Sequence, residues 1–566
     1  MGAARHARAR VTRTARTQRV VVLAAAVWLA TLPSLTAQAP KPVSFAASAS
    51  KQAFVRASAE TITAAQLKAS LSFVASDEME GRADPSRGLD ITAQFLAASL
   101  AHLGAKPAGD DGTYLQRIAL RKDRVVADGT TVELGAAKFA CGKDFFASPT
   151  PGSITAPMVF AADGWFVKAK TVDPYQGMDP TGKIVVLTSG GLPPGVTFND
   201  LNGKQGEDWI SPAAYARQKG AVAIVQLQSL LTQANPDTME RLRRSAEDGR
   251  YYVEKLSRPA EQLPTITANL SLAQAIFNGQ KVSARSVLMS FPEGGPAVKP
   301  FELTPDKTIT ITVKTAFDTT YTQNVVAIVE GSDPVLKDEY VAIGAHYDHV
   351  GTMKGAGDTV YNGADDDGSG TVAMLAMAEA LRKAPHPPKR SVLFVWHMGE
   401  EMGMWGSRYF TTYPTVRLDR VVAQLNIDMI GRSRPAGDTN PRNRDLSGPN
   451  ELYVIGSKMM SDELGALSEA VNDSYLKLAF NYKYDDPKDP EQFFYRSDHI
   501  HYATRGVPII FYFTGVHADY HGLGDEVSKI DFPKFEKITR TIYLTLWELC
   551  EMKTRPKVDR KVSGER

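Results

Sequence analysis

Gly344-Ala345-His346-Tyr347-Asp348-His349-Val350-Gly351 brings a histidine and an aspartate, two residues apart, to the end of an apolar run at 340–343. The run reads as a buried strand, and open α/β sheets place their ligands at the carboxyl ends of strands. Alternate residues of an extended chain point to the same side, so His346 and Asp348 can act together. One could bind a metal while the other holds its ring by a hydrogen bond. Alone, such a pair also reads as an ordinary satisfied polar contact.

Four further stretches change that reading. Asn362-Gly363-Ala364-Asp365-Asp366-Asp367-Gly368-Ser369-Gly370 sets three adjacent carboxylates between glycines, directly before a helix pattern. Adjacent carboxylates repel strongly unless cations neutralise them, although a solvated acidic helix start is the plainer alternative. Gly399-Glu400-Glu401 follows the apolar run 391–396. Adjacent residues of an extended chain point apart, so one glutamate can bind a metal while its neighbour faces a water molecule; a surface acidic pair is the alternative. Asn426-Ile427-Asp428 ends another apolar run with an acid, and Asp519-Tyr520-His521 follows the apolar run 507–513. Together, four strands lead into a histidine, a glutamate, an aspartate and a histidine, with a glycine-flanked acid cluster among them. Carboxylates with imidazoles suit zinc, and the number of donors suits two ions sharing a bridging carboxylate.

These residues resemble the co-catalytic zinc aminopeptidases of metallopeptidase family twenty-eight, which includes bacterial leucyl aminopeptidase and the glutamate carboxypeptidase relatives. The resemblance covers roughly 62–120 and 305–552 and extends to Ser76-Asp77-Glu78-Met79-Glu80-Gly81-Arg82, to Arg496-Ser497-Asp498-His499 and to Thr514-Gly515. Residues 130–290 resemble a protease-associated (PA) insert, above all in Gly182-Lys183-Ile184-Val185-Val186 and Ala216-Arg217-Gln218-Lys219-Gly220-Ala221.

The resemblance implies an α/β fold: a mixed-sheet zinc exopeptidase core of phosphorylase/hydrolase type, sandwiched by helices, with an inserted β-rich PA domain. It implies two zinc ions, with His346 and Asp428 on one, Glu401 and His521 on the other, and Asp366 bridging them and joined to Asp367 by a cis bond. It makes Glu400 the general base, sets Asp348 to orient His346, and puts Asp498 or His499 at the rim. Gly522-Leu523-Gly524 departs from the family's frequent proline-containing turn, while Asp525 keeps its usual distance. The implied substrate is a peptide with a free amino terminus. A carboxypeptidase or dipeptidase would share the whole site; a glutaminyl cyclase on the same fold uses one zinc, and a binding protein of the transferrin-receptor branch would lack ligands or base.

The rest of the chain must position these residues. With 566 residues, 23% charged and 43% apolar, it is globular in composition and too long for one ordinary core. Residues 1–39 carry six arginines and no acid, then an apolar run at 20–32, then Ala37-Gln38-Ala39. That is the pattern of a cleaved secretory signal, and the run is short for a bilayer crossing. The expected destination is the periplasm or the extracellular space, with no stable membrane span after cleavage. Without the leader the formal charge of +2 becomes −4, and no basic face for nucleic acid remains. With only Cys141 and Cys550, a cysteine zinc site is excluded; export would permit a disulfide between them.

The expected organisation is 1–39 signal, 40–125 first part of the peptidase, 126–294 PA-like insert and 295–566 main peptidase. Residues 40–60, rich in Ala, Ser and Lys, read as a mobile arm, and 296–300 as a linker. Helices are expected from Thr63, from Asp90 to Gly104, from Ser369 and over 532–552. Gly177-Met178-Asp179-Pro180-Thr181-Gly182-Lys183 imitates a phosphate loop, but Ile184 replaces the hydroxyl residue and a strand follows where a helix is needed.

Overall fold

The strand that ends in His346, β3 (Tyr340–His346), lies in the middle of a mixed sheet. This computed structural model describes residues 45–562 apart from 189–190, 202–203, 257–261 and 290–297, and leaves out the side chains of 198 and 199. The leader-like 1–39 and residues 296–297 of the expected linker lie outside the described residues. No described helix is long and apolar enough to cross a membrane.

The sheet's other long strands are β1 (Leu115–Val125), β2 (Thr315–Val329), β4 (Ser391–His397), β5 (Val421–Ile427), β6 (Glu451–Ile455) and β7 (Ile509–Phe513). Their order is β1-β2-β4-β3-β5-β7-β6, with short strands Tyr251–Val253 and Ala479–Asn481 at the two edges. β4, β3, β5 and β7 run parallel, so the four segments that lead to the candidate residues deliver them to one edge. β2 runs against both β1 and β4, and β6 runs against β7.

The strands read as continuous apolar runs because both faces are covered. Val341, Ile343 and Ala345 of β3, with Val392, Phe394 and Trp396 of β4, face one helical layer. That layer is α1 (Ala64–Val74), α2 (Arg87–His102), α3 (Gly370–Lys383), α4 (Asp462–Ser474) and α5 (Phe532–Glu551). Ala342, Leu393 and Val395 face the opposite layer, which holds Phe410 of helix Trp405–Thr412 and Ile500 and Tyr502 of helix His499–Ala503. A fully enclosed Phe394 contributes roughly 1.5–3 kcal/mol. In α3 the sequence marks one apolar face, Val372, Leu375, Ala376 and Ala380; the structure buries nearly every residue to Leu381, because the helix is wedged between the sheet and neighbouring helices.

The N-terminal reading needs correction. Residues 45–60 hold a docked helix, Ala53–Glu60, rather than a mobile arm. Val55 and Ala59 enter the main core, and the Glu548 carboxylate of α5 accepts the amide N–H of Ser50 at 2.8 Å. The two helix starts that follow are capped as their sequences allow: Thr63 accepts from the amide of Gln66, and Ser86 from that of Leu89, so α2 begins three residues before Asp90.

A second, smaller sheet has its own core around Phe160, Val186, Val225 and Ile311. The chain leaves the main sheet at Val125, touches its edge again with Tyr251–Val253, and returns at Thr315, with β1 and β2 paired in register along the way back. Phe301–Glu302 and Thr308–Val313 pair with Gly152–Phe160, so these strands, placed in the peptidase by a boundary at 294, belong to the smaller sheet. The phosphate-loop imitation leads into strand Ile184–Thr188, as its sequence requires. Cys141 and Cys550 are both free.

Arg82 ties the front of the chain to the sheet edge. The polar turn 76–82 is a 3₁₀ segment that ends in left-handed backbone, with φ +64° at Gly81 and +48° at Arg82. A Cβ at Gly81 would lie 2.2 Å from the carbonyl oxygen of Gly351, so only glycine allows this approach. The fully buried Arg82 guanidinium donates to the carbonyls of Val74 (2.7 Å), Tyr347 (2.9 Å), Asn362 (2.7 Å) and Gly363 (2.9 Å). It thereby joins the loop after His346 to the loop before Asp366.

Asp498 and His499, expected at the rim, are both fully enclosed instead. The His499 ring stacks on Phe511 of β7 at 4.7 Å, and its Nε2 lies 2.8 Å from the carbonyl oxygen of Phe494. The apolar surroundings of helix His499–Ala503 draw the segment under the sheet. Burial holds the His499 imidazole down at about 4.

Two outcomes follow from these contacts. Arg82→Met leaves four buried carbonyls without their donor, at about 1–3 kcal/mol each, so denaturant titration should record a loss of at least about 4 kcal/mol, only partly recovered by Arg82→Lys. For His499 the folded value lies below the 6.5 of the unfolded chain, so the unfolded state binds a proton first as pH falls. Its contribution is full above pH 6.5 and is lost progressively down to about pH 4, amounting to about 3 kcal/mol. His499→Gln should flatten that part of the stability–pH curve by the same amount.

Candidate metal centre

His346 ends β3, Glu400 and Glu401 follow β4, Asp428 follows β5 and His521 lies beyond β7. All of the expected donors meet at one place. His346 Nε2 lies 3.2 Å from Asp366 Oδ1 and 3.7 Å from Asp428 Oδ1. His521 Nε2 lies 3.2 Å from Asp366 Oδ2 and 2.9 Å from Glu401 Oε2. Asp366 thus presents one oxygen to each histidine, and its peptide bond to Asp367 is cis.

The backbone is shaped to bring these groups together. His521 has φ +51° and Met429, directly after Asp428, has φ +57°, conformations that non-glycine residues hold only where their surroundings impose them. Thr514 Oγ1 and N–H both donate to the Met429 carbonyl, fixing that turn. Ser497 Oγ donates to Asp428 Oδ2 at 2.7 Å and receives a bond from Asn426. Asp525 accepts the amide N–H groups of both Asp365 and Asp366, which holds the acid cluster's backbone against the loop after His521.

Asp348 takes a different place from the one its spacing suggests. His346 Nδ1 lies closer to the main-chain carbonyl of Asp348, 3.2 Å, than to its carboxylate, 3.6 Å. The carboxylate accepts the amide N–H groups of Glu400 and Glu401 at 3.1 and 3.2 Å, so it pins the turn that carries both glutamates.

The sequence reading missed His349. Its ring is buried, with Nδ1 2.9 Å from Glu401 Oε1 and 3.6 Å from Asp366 Oδ2. Among the described residues, ligand-type atoms of His346, Asp367 and Asp428 lie within 4.8 Å of one another, as do those of His349, Asp366 and Glu401. A third histidine beside the His346 motif is the one signal the sequence carried for it.

The electrostatics are those of a cation site. Burial opposes charge on His346, yet Asp348, Asp366 and Asp428 hold its pKa well above the ordinary value. Burial likewise opposes charge on Asp366, but His346 and His521 hold its carboxyl well below the usual range. Burial first, then the charges of Asp428, Asp498 and Glu401, push Glu400 well up. Against burial, Asp366 and Glu401 push His521 up to about 10. A bound divalent cation would take over the role of these protons.

The donor set fits zinc. His346 Nε2, His349 Nδ1, Asp366 Oδ2 and Glu401 Oε1 are buried and have no aligned hydrogen-bond partner, although nitrogen and oxygen stand about 3 Å apart. Groups that face a shared centre rather than one another are arranged as ligands are, and imidazole with carboxylate is a zinc donor set.

Beside the centre, the Tyr520 ring stacks on His521 at 3.9 Å and lines a cavity of about 500 Å³ with Phe493, Val516, Arg442, Arg444 and Glu491.

Residues 324–546, which contain every one of these donors, match the family described as Peptidase family M28. Leucine aminopeptidase 2 of Arthroderma otae is 28% identical over 282 residues, 45% of this chain and 51% of the relative. Aminopeptidase YwaD of Bacillus subtilis is 26% identical over 308 residues, 53% of this chain and 58% of the relative. The chain spans about half the length of the curated relatives it matches. Among solved structures, an aminopeptidase from Aneurinibacillus sp. strain AM-1 is 16% identical with a TM-score of 0.49, over 90% of this chain and 100% of that one. The match to peptidase family M28 thus spans 324–546, the segment that holds the whole centre.

Proposed function

We propose that this protein is an exported two-zinc aminopeptidase that hydrolyses the first peptide bond of peptides with a free amino terminus. The observation that carries the proposal is Asp366, whose two carboxylate oxygens face two separate sets of donors. His346 and Asp428 would hold one zinc, Glu401 and His521 the other, and Asp366 both. Zinc in such a site lowers the pKa of water toward about 7 and polarises a carbonyl.

The chain's own residues do the rest. Glu400, whose carboxyl is raised by burial and by neighbouring acids, takes a proton from the attacking water and returns it to the leaving amine. Asp348 fixes the direction of Glu400 by holding its amide. The acids around the centre favour the ammonium of a free amino terminus, and the cavity beside Tyr520 receives the first side chain. The smaller sheet would correspond to the PA-like insert, whose strand Tyr251–Val253 joins the edge of the main sheet beside β1. The names of the relatives, leucine aminopeptidase and aminopeptidase, favour the amino end over the carboxyl end. A glutaminyl cyclase needs only one zinc, whereas two donor groups meet here.

The test compares free and N-acetylated peptides, with zinc content measured, for wild type and Glu400→Gln. Two zinc ions per chain, cleavage of free but not acetylated peptides, and a Glu400→Gln protein that keeps zinc while kcat falls by roughly 10²–10⁴ are expected. Release of residues from the carboxyl end would make the protein a carboxypeptidase. Bound zinc without turnover of any peptide would overturn the peptidase reading.

A further inference from the structure

His349 has no place in the two-zinc arrangement just described, yet the fold makes room for its ring. Its amide N–H donates to the Arg82 carbonyl at 3.1 Å, which sets the backbone. Opposite the ring stands Gly363, with φ +57°; a Cβ there would come within 2.6 Å of the His349 Cγ and Cδ2 atoms. The imidazole is 1% exposed.

A histidine that merely oriented Glu401 would aim its N–H along the line to a carboxylate oxygen. The Nδ1 of His349 stands 2.9 Å from Glu401 Oε1 without that alignment, and Nε2 has no hydrogen-bond partner among the described residues. Nδ1 shares its surroundings with His521 Nε2, since both lie against Glu401 and Asp366 Oδ2.

We propose that His349 is a direct zinc ligand through Nδ1, joining Glu401, His521 and Asp366. This rests on the two-zinc reading above. Four protein donors complete a tetrahedral zinc shell, whereas His346, Asp428 and Asp366 supply three and leave a position open. The two positions therefore differ in kind: the His349 side is closed and holds its ion the more firmly, and the His346 side is where substrate atoms enter.

Zinc affinity alone does not decide the matter, because residues that only orient a ligand also change it by about 10–100-fold. The deciding measurement is the structure of the zinc-loaded protein, together with X-ray absorption at the zinc edge for wild type, His349→Asn and His349→Gln. The expected result is two zinc ions, His349 Nδ1 at about 2.0–2.1 Å from one of them, and three coordinated imidazoles per pair of ions, falling to two in either variant. Two ions with Nδ1 hydrogen-bonded to Glu401, and the same imidazole count with and without His349, would overturn the proposal and leave the two-zinc reading intact. A wild-type protein that binds fewer than two zinc ions would overturn both.

Discussion

Mutual repulsion among buried carboxylates governs this structure. Asp348, Asp365, Asp366, Asp367, Asp428, Asp498 and Asp525 are all enclosed, and Glu400 and Glu401 stand among them. Each acid has to be offset, and the manner of offset sorts them. Both oxygens of Asp348 accept amide N–H groups; Asp367 accepts from Gly370 and Met429, Asp365 from Gly431, and Asp525 from two residues of the acid cluster. These carboxylates are engaged with the backbone and serve to shape loops. Asp366 and Glu401 have no such donors; their oxygens face imidazoles across the centre. Asp428 is held by the Ser497 hydroxyl and Asp498 lies against His397, and in the proposed arrangement the oxygens that face imidazoles across the centre are the ones left for cations.

The same constraint explains why so much of the chain is needed. Holding carboxylates near one another requires loops that cannot drift apart, and Arg82 meets that need with four carbonyl contacts and a positive charge beneath the cluster. It comes from the front of the sequence, while Asp525 and Lys534 come from its end. Lys534 Nζ donates to the carbonyl of Arg432 and to Ser447 Oγ, tying down the segment after Asp428. The helices before α1 are held in turn by Glu548 of α5. A five-residue motif list conveys the ligands; the scaffold that makes them coexist is distributed over the whole peptidase layer.

That distribution sets what was legible in the sequence. Strands β3, β4, β5 and β7 were readable because parallel strands covered on both faces are unbroken apolar runs, and an acid or histidine just past such a run stands out. His346, Glu400, Glu401 and Asp428 stood out for this reason, and Asp366 through the glycine-flanked acid cluster around it. His349 was not: it sits where the chain has left the strand, so the alternation that joins His346 to Asp348 no longer says where a side chain points. The anchoring by Arg82 was not legible because its partners are carbonyls, which sequence does not distinguish. Residues 45–60 looked mobile because alanine and serine carry little pattern, and their docking is decided by a carboxylate at the far end of the chain. Thr308–Val313 was recognisable as a strand, but alternation cannot say which of two sheets a strand joins. The family resemblance put Asp498 or His499 at the rim, whereas the apolar residues after them pull the segment inward.

The role of Asp348 shows how local geometry refines what spacing suggests. From its distance to His346 it reads as the acid that holds an imidazole, yet a main-chain carbonyl stands closer to that ring than the carboxylate does. Its carboxylate spans the amides of Glu400 and Glu401, and adjacent residues held by one acceptor send their side chains apart. Glu401 reaches the imidazoles of His349 and His521, and Glu400 stands where burial and the charges of Asp428, Asp498 and Glu401 push its carboxyl up. In the proposed mechanism a single carboxylate therefore divides the labour between two neighbouring glutamates, one for the cation and one for the proton. The difference between them lies in the turn that Asp348 holds, since the side chains are chemically the same.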